Sequence, residues 1–289
     1  MRRKNVILVL ISLITVVTLI AVAAFTFFGK QKTEEKEVLR LSESGLNVKA
    51  ELPQIIADGG SPSNKASYTY SAFLSACQEG YSAVTFKIFE TADGLWVVSK
   101  SDNLAGYTAG KGKVSKLDYR DILKLNLLDK RGKVLDFSEP GGPKVPEFEE
   151  LAKITSGYNV HAYVWVEVAS PSGLKKITDL ISSEEMFYNF SIISQDIKIL
   201  ENVKSLSPKT GRVYFVDDSD ENLVEYLKTD EELKICLDKR IADENPDFLK
   251  EILQGESRVI LRGVSDYESL KAYFALGIKL FISDNIAPN

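Results

Sequence analysis

VHAYVWVEV at residues 160–168, GLKKITDLI at 173–181, FSII at 190–193, IKILENVKSL at 197–206 and VYFV at 213–216 set the rhythm of this chain. Short apolar runs rich in β-branched and aromatic residues read as strands, and the longer amphipathic runs between them read as helices. Working back toward the amino terminus, the pattern predicts strands at 54–57, 83–89 and 95–98, and helices at 68–79, 118–125 and 147–155. Working forward, it predicts helices at 221–227, 247–253 and 267–276, and strands at 233–237, 259–261 and 280–282. Strands that alternate with helices call for a parallel sheet covered on its outer face. Eight or nine such units within about 240 residues fit a closed (β/α)₈ barrel, the TIM barrel, better than an open doubly wound sheet. No GxGxxG and no phosphate loop follows any of the strands.

The 289 residues carry a formal net charge of −5, and 44% of them are hydrophobic. That is enough apolar mass for a large core, and the mildly acidic balance argues against a nucleic-acid partner. Cys77 and Cys236 form no CxxC pair and no disulfide framework, and read as two buried small residues.

Residues 6–28 hold no charge, and as a helix they would span roughly 35 Å, enough to cross a membrane. Arg2, Arg3 and Lys4 precede them, which sets residues 1–5 inside as a short tail and the bulk of the chain outside the cytoplasm. A cleaved signal peptide is the competing reading, with Ala21-Val22-Ala23 as its cleavage pattern. The apolar run continues through Phe25, Phe27 and Phe28, which favours an uncleaved single-pass anchor. Residues 29–51, with their KQKTEEKE run, read as a linker, and residues 52–289 as the barrel.

Function in such barrels gathers where strands end, which singles out Asp58, Lys87, Lys100, Glu167, Ser194 and Arg262. The run Ile55-Ile56-Ala57-Asp58-Gly59-Gly60 is similar to the Ile-Ala-His-Arg-Gly strand end of the glycerophosphodiester phosphodiesterases, a family of phospholipase-C-like phosphodiesterase barrels. Thr69 with Ala72-Phe73, the stretch Asp93-Gly94-Leu95-Trp96-Val97-Val98 and the run from Val145 to Leu151 resemble further motifs of that family, in family order. Gly277-Ile278-Lys279-Leu280-Phe281-Ile282-Ser283-Asp284 resembles its closing Gly-Val-Asp-x-Ile-x-Thr-Asp. The resemblance covers residues 52–289.

Phosphodiester cleavage needs an acid, a base and a means of neutralising phosphate charge. The resemblance implies two histidines for proton transfer, an arginine on the phosphate and a carboxylate cluster on a divalent metal. This chain departs from the pattern at nearly every such position. Asp58 stands at the first histidine and Gly59 at the arginine. Thr85 and Lys87 stand at the metal-binding Glu-x-Asp pair, and Lys100-Ser101 at the second His-Asp. Ser67 replaces another glutamate, Ala169 a lysine and Arg262 a tryptophan, while Glu167 alone keeps its carboxylate. The sole histidine, His161, lies six residues before Glu167, at the wrong end of the barrel. The family's acid–base pair is therefore expected to be absent and its divalent metal lost.

Two readings of the pocket follow. In one, Lys87 pairs with Glu167 or Asp58 and a salt-bridge cluster plugs the barrel mouth. In the other, Asp58, Lys87, Lys100, Glu167 and Arg262 form a cationic pocket for a phosphate-bearing small molecule, polymer or lipid headgroup. A phosphodiesterase working through a rebuilt site is a third possibility. A rigid scaffold for an unidentified protein partner is a fourth, with Tyr119, Tyr267 and Tyr273 as candidate exposed aromatics.

Overall fold

The computed structural model describes residues 52–61, 66–135, 138, 142–183, 186–216, 229–253 and 258–288. The expected membrane span at 6–28, the linker and the helix expected at 221–227 lie outside these residues. Among the described residues no helix is long and apolar enough to cross a membrane.

Eight parallel strands close into a barrel. In chain order they begin with β1 (Gln54–Asp58) and β2 (Ala83–Glu90), and a short β3 (Trp96–Val98) turns back antiparallel on β2. The barrel continues with β4 (His161–Val166), β5 (Phe190–Ser194), β6 (Gly211–Val216), β7 (Leu233–Asp238), β8 (Val259–Arg262) and β9 (Leu280–Ser283). Closure comes from β1, which pairs with β2 on one side and β9 on the other. The covering helices are α1 (Tyr70–Gln78), the single turn α2 (Tyr119–Ile122), α3 (Phe148–Gly157), α4 (Pro171–Ser183), α5 (Ile197–Leu206), α6 (Lys239–Glu244), α7 (Pro246–Ile252) and α8 (Tyr267–Ala275).

Strand parity sorts the core into two layers, because successive side chains point to opposite faces. Ile56, Tyr163, Trp165, Ile193, Val213, Cys236, Ile260 and Ile282 fill the barrel interior. Their neighbours one position away, such as Ile55, Val84, Phe86, Val164, Ile192 and Leu261, pack outward against the helices. The expectation of two buried thiols holds for both Cys77 and Cys236. A third apolar cluster stands apart. Leu104, Val114, Ile122, Leu127, Leu135 and Val145 give the long connection between β3 and α3 its own small core.

Two helices differ from expectation. The pattern at 118–125 yields one helical turn, because from Leu127 onward the chain makes backbone hydrogen bonds to Pro143 and Tyr107 instead of extending the helix. The helix expected at 247–253 is present as α7, which Pro246, lacking an N–H, opens at its first position, and α6, capped by Asp238, precedes it where no helix was expected.

Candidate functional site

The inward parity of the strands carries four charged side chains to one end of the barrel. Ile56 points inward on β1, so Asp58 does too. Thr85 and Lys87 share a phase on β2, Trp165 and Glu167 on β4, and Ile260 and Arg262 on β8. These side chains meet above the aromatic pair Trp165 and Phe215, whose rings lie edge to face with centroids 4.8 Å apart. Lys87 Nζ sits 5.5 Å above the Trp165 ring and the Arg262 guanidinium 5.3 Å from it. Attraction to the π face holds both cations over the floor of the mouth. Lys87 also donates to Glu167 Oε1 at 2.8 Å, and Arg262 Nε lies 3.9 Å from Asp58 Oδ2.

A cavity of about 460 Å³ opens at this mouth. Its cationic lining is Lys87, Lys100, Lys130 and Arg262, and its carboxylates are Asp58 and Asp284. Lys100 follows β3 in a bend fixed by Ser99, whose N–H donates to Lys87 O and whose hydroxyl donates to Ser101 O. Lys130 sits on a turn of the β3–α3 connection. There the Asp129 carboxylate accepts the backbone N–H groups of Arg131 and Lys133, at 2.8 and 2.9 Å. Among the described residues neither Lys100 nor Lys130 has a carboxylate partner.

Asp58 stands beside Tyr68, whose hydroxyl donates to Asp58 Oδ1 at 3.3 Å. Burial raises the Asp58 carboxyl above the usual carboxylate range, against the opposing pull of Arg262 and the Tyr68 hydroxyl. Burial together with the Asp58 charge pushes the Tyr68 phenol well above its ordinary value. The ring of Tyr68 occupies the space beside Gly59. A Cβ at Gly59 would lie 2.5 Å from Tyr68 Cε2, and Gly59 adopts a left-handed φ of +70°. Tyr68 itself has a φ of 61°, a costly conformation for an aromatic residue, and its N–H is fixed to Gly59 O at 2.7 Å. The helix predicted from residue 68 therefore starts at Tyr70, with Thr69 as its cap.

Thr85 and Lys87 stand at two of the carboxylate positions implied by the resemblance, and both are engaged otherwise. Trp165 Nε1 donates to Thr85 Oγ1 at 2.7 Å, in a site closed to water. Among the described residues no group of three His, Cys, Asp or Glu side chains is placed to hold a metal ion.

Several sequence-selected residues lie elsewhere. Ser194 ends β5, but its buried hydroxyl donates to Val166 O at 2.7 Å and accepts from Asp196 N, which makes it a brace between β4 and β5. His161 is at the opposite end of the barrel, paired with the Ser191 hydroxyl at 2.9 Å. Burial and the charge of Lys234 push its pKa down to about 4. Of the three candidate exposed aromatics, Tyr273 is buried with its hydroxyl bonded to Asp243, and Tyr119 packs against the cluster of the β3–α3 connection. Only Tyr267 is exposed, and its hydroxyl donates to Ala287 O. Tyr68, Lys130 and Asp284 join the mouth although sequence reasoning did not select them. Strand phase two residues beyond Ile282 could have pointed to Asp284, whereas no periodicity governs Lys130.

No family model matches the sequence, and no curated protein does. Solved structures match the fold over most of its length. A glycerophosphodiester phosphodiesterase from Agrobacterium tumefaciens superposes with a TM-score of 0.64 at 18% identity, covering 81% of this chain and 97% of that one. A phosphodiesterase from Oleispira antarctica, in complex with the product sn-glycerol-3-phosphate, gives 0.62 at 19% identity, covering 81% and 93%. A glycerophosphodiester phosphodiesterase from Parabacteroides distasonis gives 0.62 at 16% identity, covering 80% and 92%. The barrel of this chain has the fold of the glycerophosphodiester phosphodiesterases.

Proposed function

We propose that the barrel mouth binds a phosphate-bearing anion without a divalent metal and without hydrolysing it. We further propose that residues 6–28 hold the barrel at the outer face of a membrane. The observation that carries the first reading is the cavity whose charged lining, among the described residues, is Lys87, Lys100, Lys130 and Arg262 against Asp58 and Asp284, with Glu167 paired to Lys87 at the rim. A surplus of cations in a partly enclosed pocket favours an anion, and ammonium and guanidinium groups make charge-assisted hydrogen bonds to phosphate oxygens. The Oleispira neighbour holds a phosphate ester on the same fold, which is consistent with this use of the mouth.

The donor set does not suit a divalent cation. An ammonium 2.8 Å from Glu167 would repel it, and the one hydroxyl at the neighbouring position is spent on an indole N–H. Lys87 supplies fixed positive charge in that place. Hydrolysis by paired histidines has no counterpart here, since Asp58 and Lys100 stand at those positions and His161 is at the far end. A rebuilt phosphodiesterase is the second reading. It is favoured by Asp58, a half-buried carboxyl whose pKa burial raises against the pull of the neighbouring phenol and guanidinium, as a general acid requires.

Calorimetry of the full chain with inorganic phosphate, with and without chelator, tests the first reading. Binding is expected to survive chelation and to weaken at least about tenfold in Lys87→Glu. Unchanged affinity in that variant would overturn it. Turnover of glycerophosphodiesters that Asp58→Asn abolishes would establish the second reading in its place. Protease protection of the N-terminus in sealed cells tests the membrane orientation.

A further inference from the structure

We propose that the mouth is built for a terminal phosphate, the dianion of a phosphomonoester, in preference to a phosphodiester. The inference rests on the anion-binding reading above and names its ligand class. Four cations arrive from four separate stretches of chain: Lys87 from β2, Lys100 from beyond β3, Lys130 from the turn at 129–133 and Arg262 from β8. Among the described residues they outnumber the lining carboxylates by two, and the Lys87–Glu167 pair at the rim takes up only part of that excess.

The supply of donors points the same way. Lys87 commits one N–H to Glu167 and keeps two. Among the described residues Lys100 and Lys130 spend none of theirs on a carboxylate, and Arg262 turns only Nε toward Asp58. Ser67 lines the same space. A phosphodiester carries one charge on two oxygens and offers two ester oxygens that accept poorly. A monoester carries close to two charges near neutral pH, spread over three strong acceptors. The third oxygen and the second charge are what this ring of donors can use. The volume of about 460 Å³ admits a phosphate with a small polyol attached.

Two probes differing by one methyl group isolate the effect: sn-glycerol 3-phosphate and its O-methyl diester. Titrated into the full chain at pH 7.5, the monoester is expected to bind at least about tenfold tighter. Lys130→Gln, a change on an exposed turn, is expected to narrow that ratio by weakening the monoester more than the diester. Equal affinity for the two probes, or tighter binding of the diester, overturns this inference while leaving the anion-binding reading in place. Binding of neither probe, nor of inorganic phosphate, overturns both.

Discussion

Gly59→Ala would test whether the mouth depends on a tyrosine wedged where the family pattern has an arginine side chain. Two costs combine. An alanine held at φ +70° loses about 1–2 kcal/mol against the left-handed backbone. Its methyl would also stand 2.5 Å from the Tyr68 ring, and overpacking of this kind costs about 1–3 kcal/mol. The ring has little room to retreat. It is 6% exposed, its backbone N–H is bound to Gly59 O, its hydroxyl is on Asp58, and its edge meets Phe73 with centroids 6.4 Å apart. The expected loss is roughly 2–5 kcal/mol, a drop in Tm of about 4–20 °C for a barrel of this size. Thermal and urea unfolding of the full chain would measure it. In a Tyr68→Ala background the clash disappears and only the backbone cost remains, so a double-mutant cycle should show coupling of about 1–3 kcal/mol. A loss under about 1 kcal/mol in the wild-type background, or strict additivity with Tyr68→Ala, would refute the account. The same geometry predicts that an arginine at 59 alone unfolds the mouth.

Asp230 accepts an N–H from each terminal nitrogen of buried Arg212, at 2.6 and 3.0 Å, so Asp230→Ala should cost about 3–5 kcal/mol in urea unfolding by leaving that charge only the exposed Glu232 carboxylate 3.6 Å away. Arg212 holds the Asp230 carboxyl down to about 2 from an ordinary 3.8. The stability this contributes is complete above pH 3.8 and lost as pH falls through 2; acid unfolding of wild type should therefore be steeper there than that of Asp230→Asn, and equal slopes would contradict the pairing. His161, the only histidine, has its pKa depressed to about 4. Its imidazole NMR signal should stay flat from roughly pH 8 to 5.5, and the stability of the neutral ring, full above 6.5, should be lost as pH falls toward 4; a midpoint near 6.5 in the folded protein would refute its burial. Burial pushes the Cys77 thiol up to about 11 and the Cys236 thiol higher still, so neither should react with a disulfide reagent at about pH 8 until denaturant is added.

The barrel was legible because its signal is periodic. Each strand announces itself as an apolar run bounded by turn residues, and one register of closure satisfies all eight. Lys87, Glu167 and Arg262 were legible for the same reason, since each lies in the inward phase at or near the end of such a run. Tyr68 was not, because helical spacing draws it into α1, and only the backbone shows it outside the cap with a positive φ. Lys130 was not legible because its place in the mouth depends on how the β3–α3 connection folds over the barrel, which no local pattern encodes. Ser194 misled because strand-end position says where a residue sits and nothing about its hydrogen bonds.

That connection carries an evolutionary consequence. Because Leu104, Val114, Ile122, Leu127 and Leu135 pack on one another in a cluster that meets the barrel at Val97 and Tyr107, substitutions away from those two contacts act first on the connection itself. Selection can therefore re-aim the turn that bears Lys130, or trade its charge, while the eight strands stay as they are. Descendants of this chain could change what they recognise at the mouth through one surface segment, with no renegotiation of the fold beneath it.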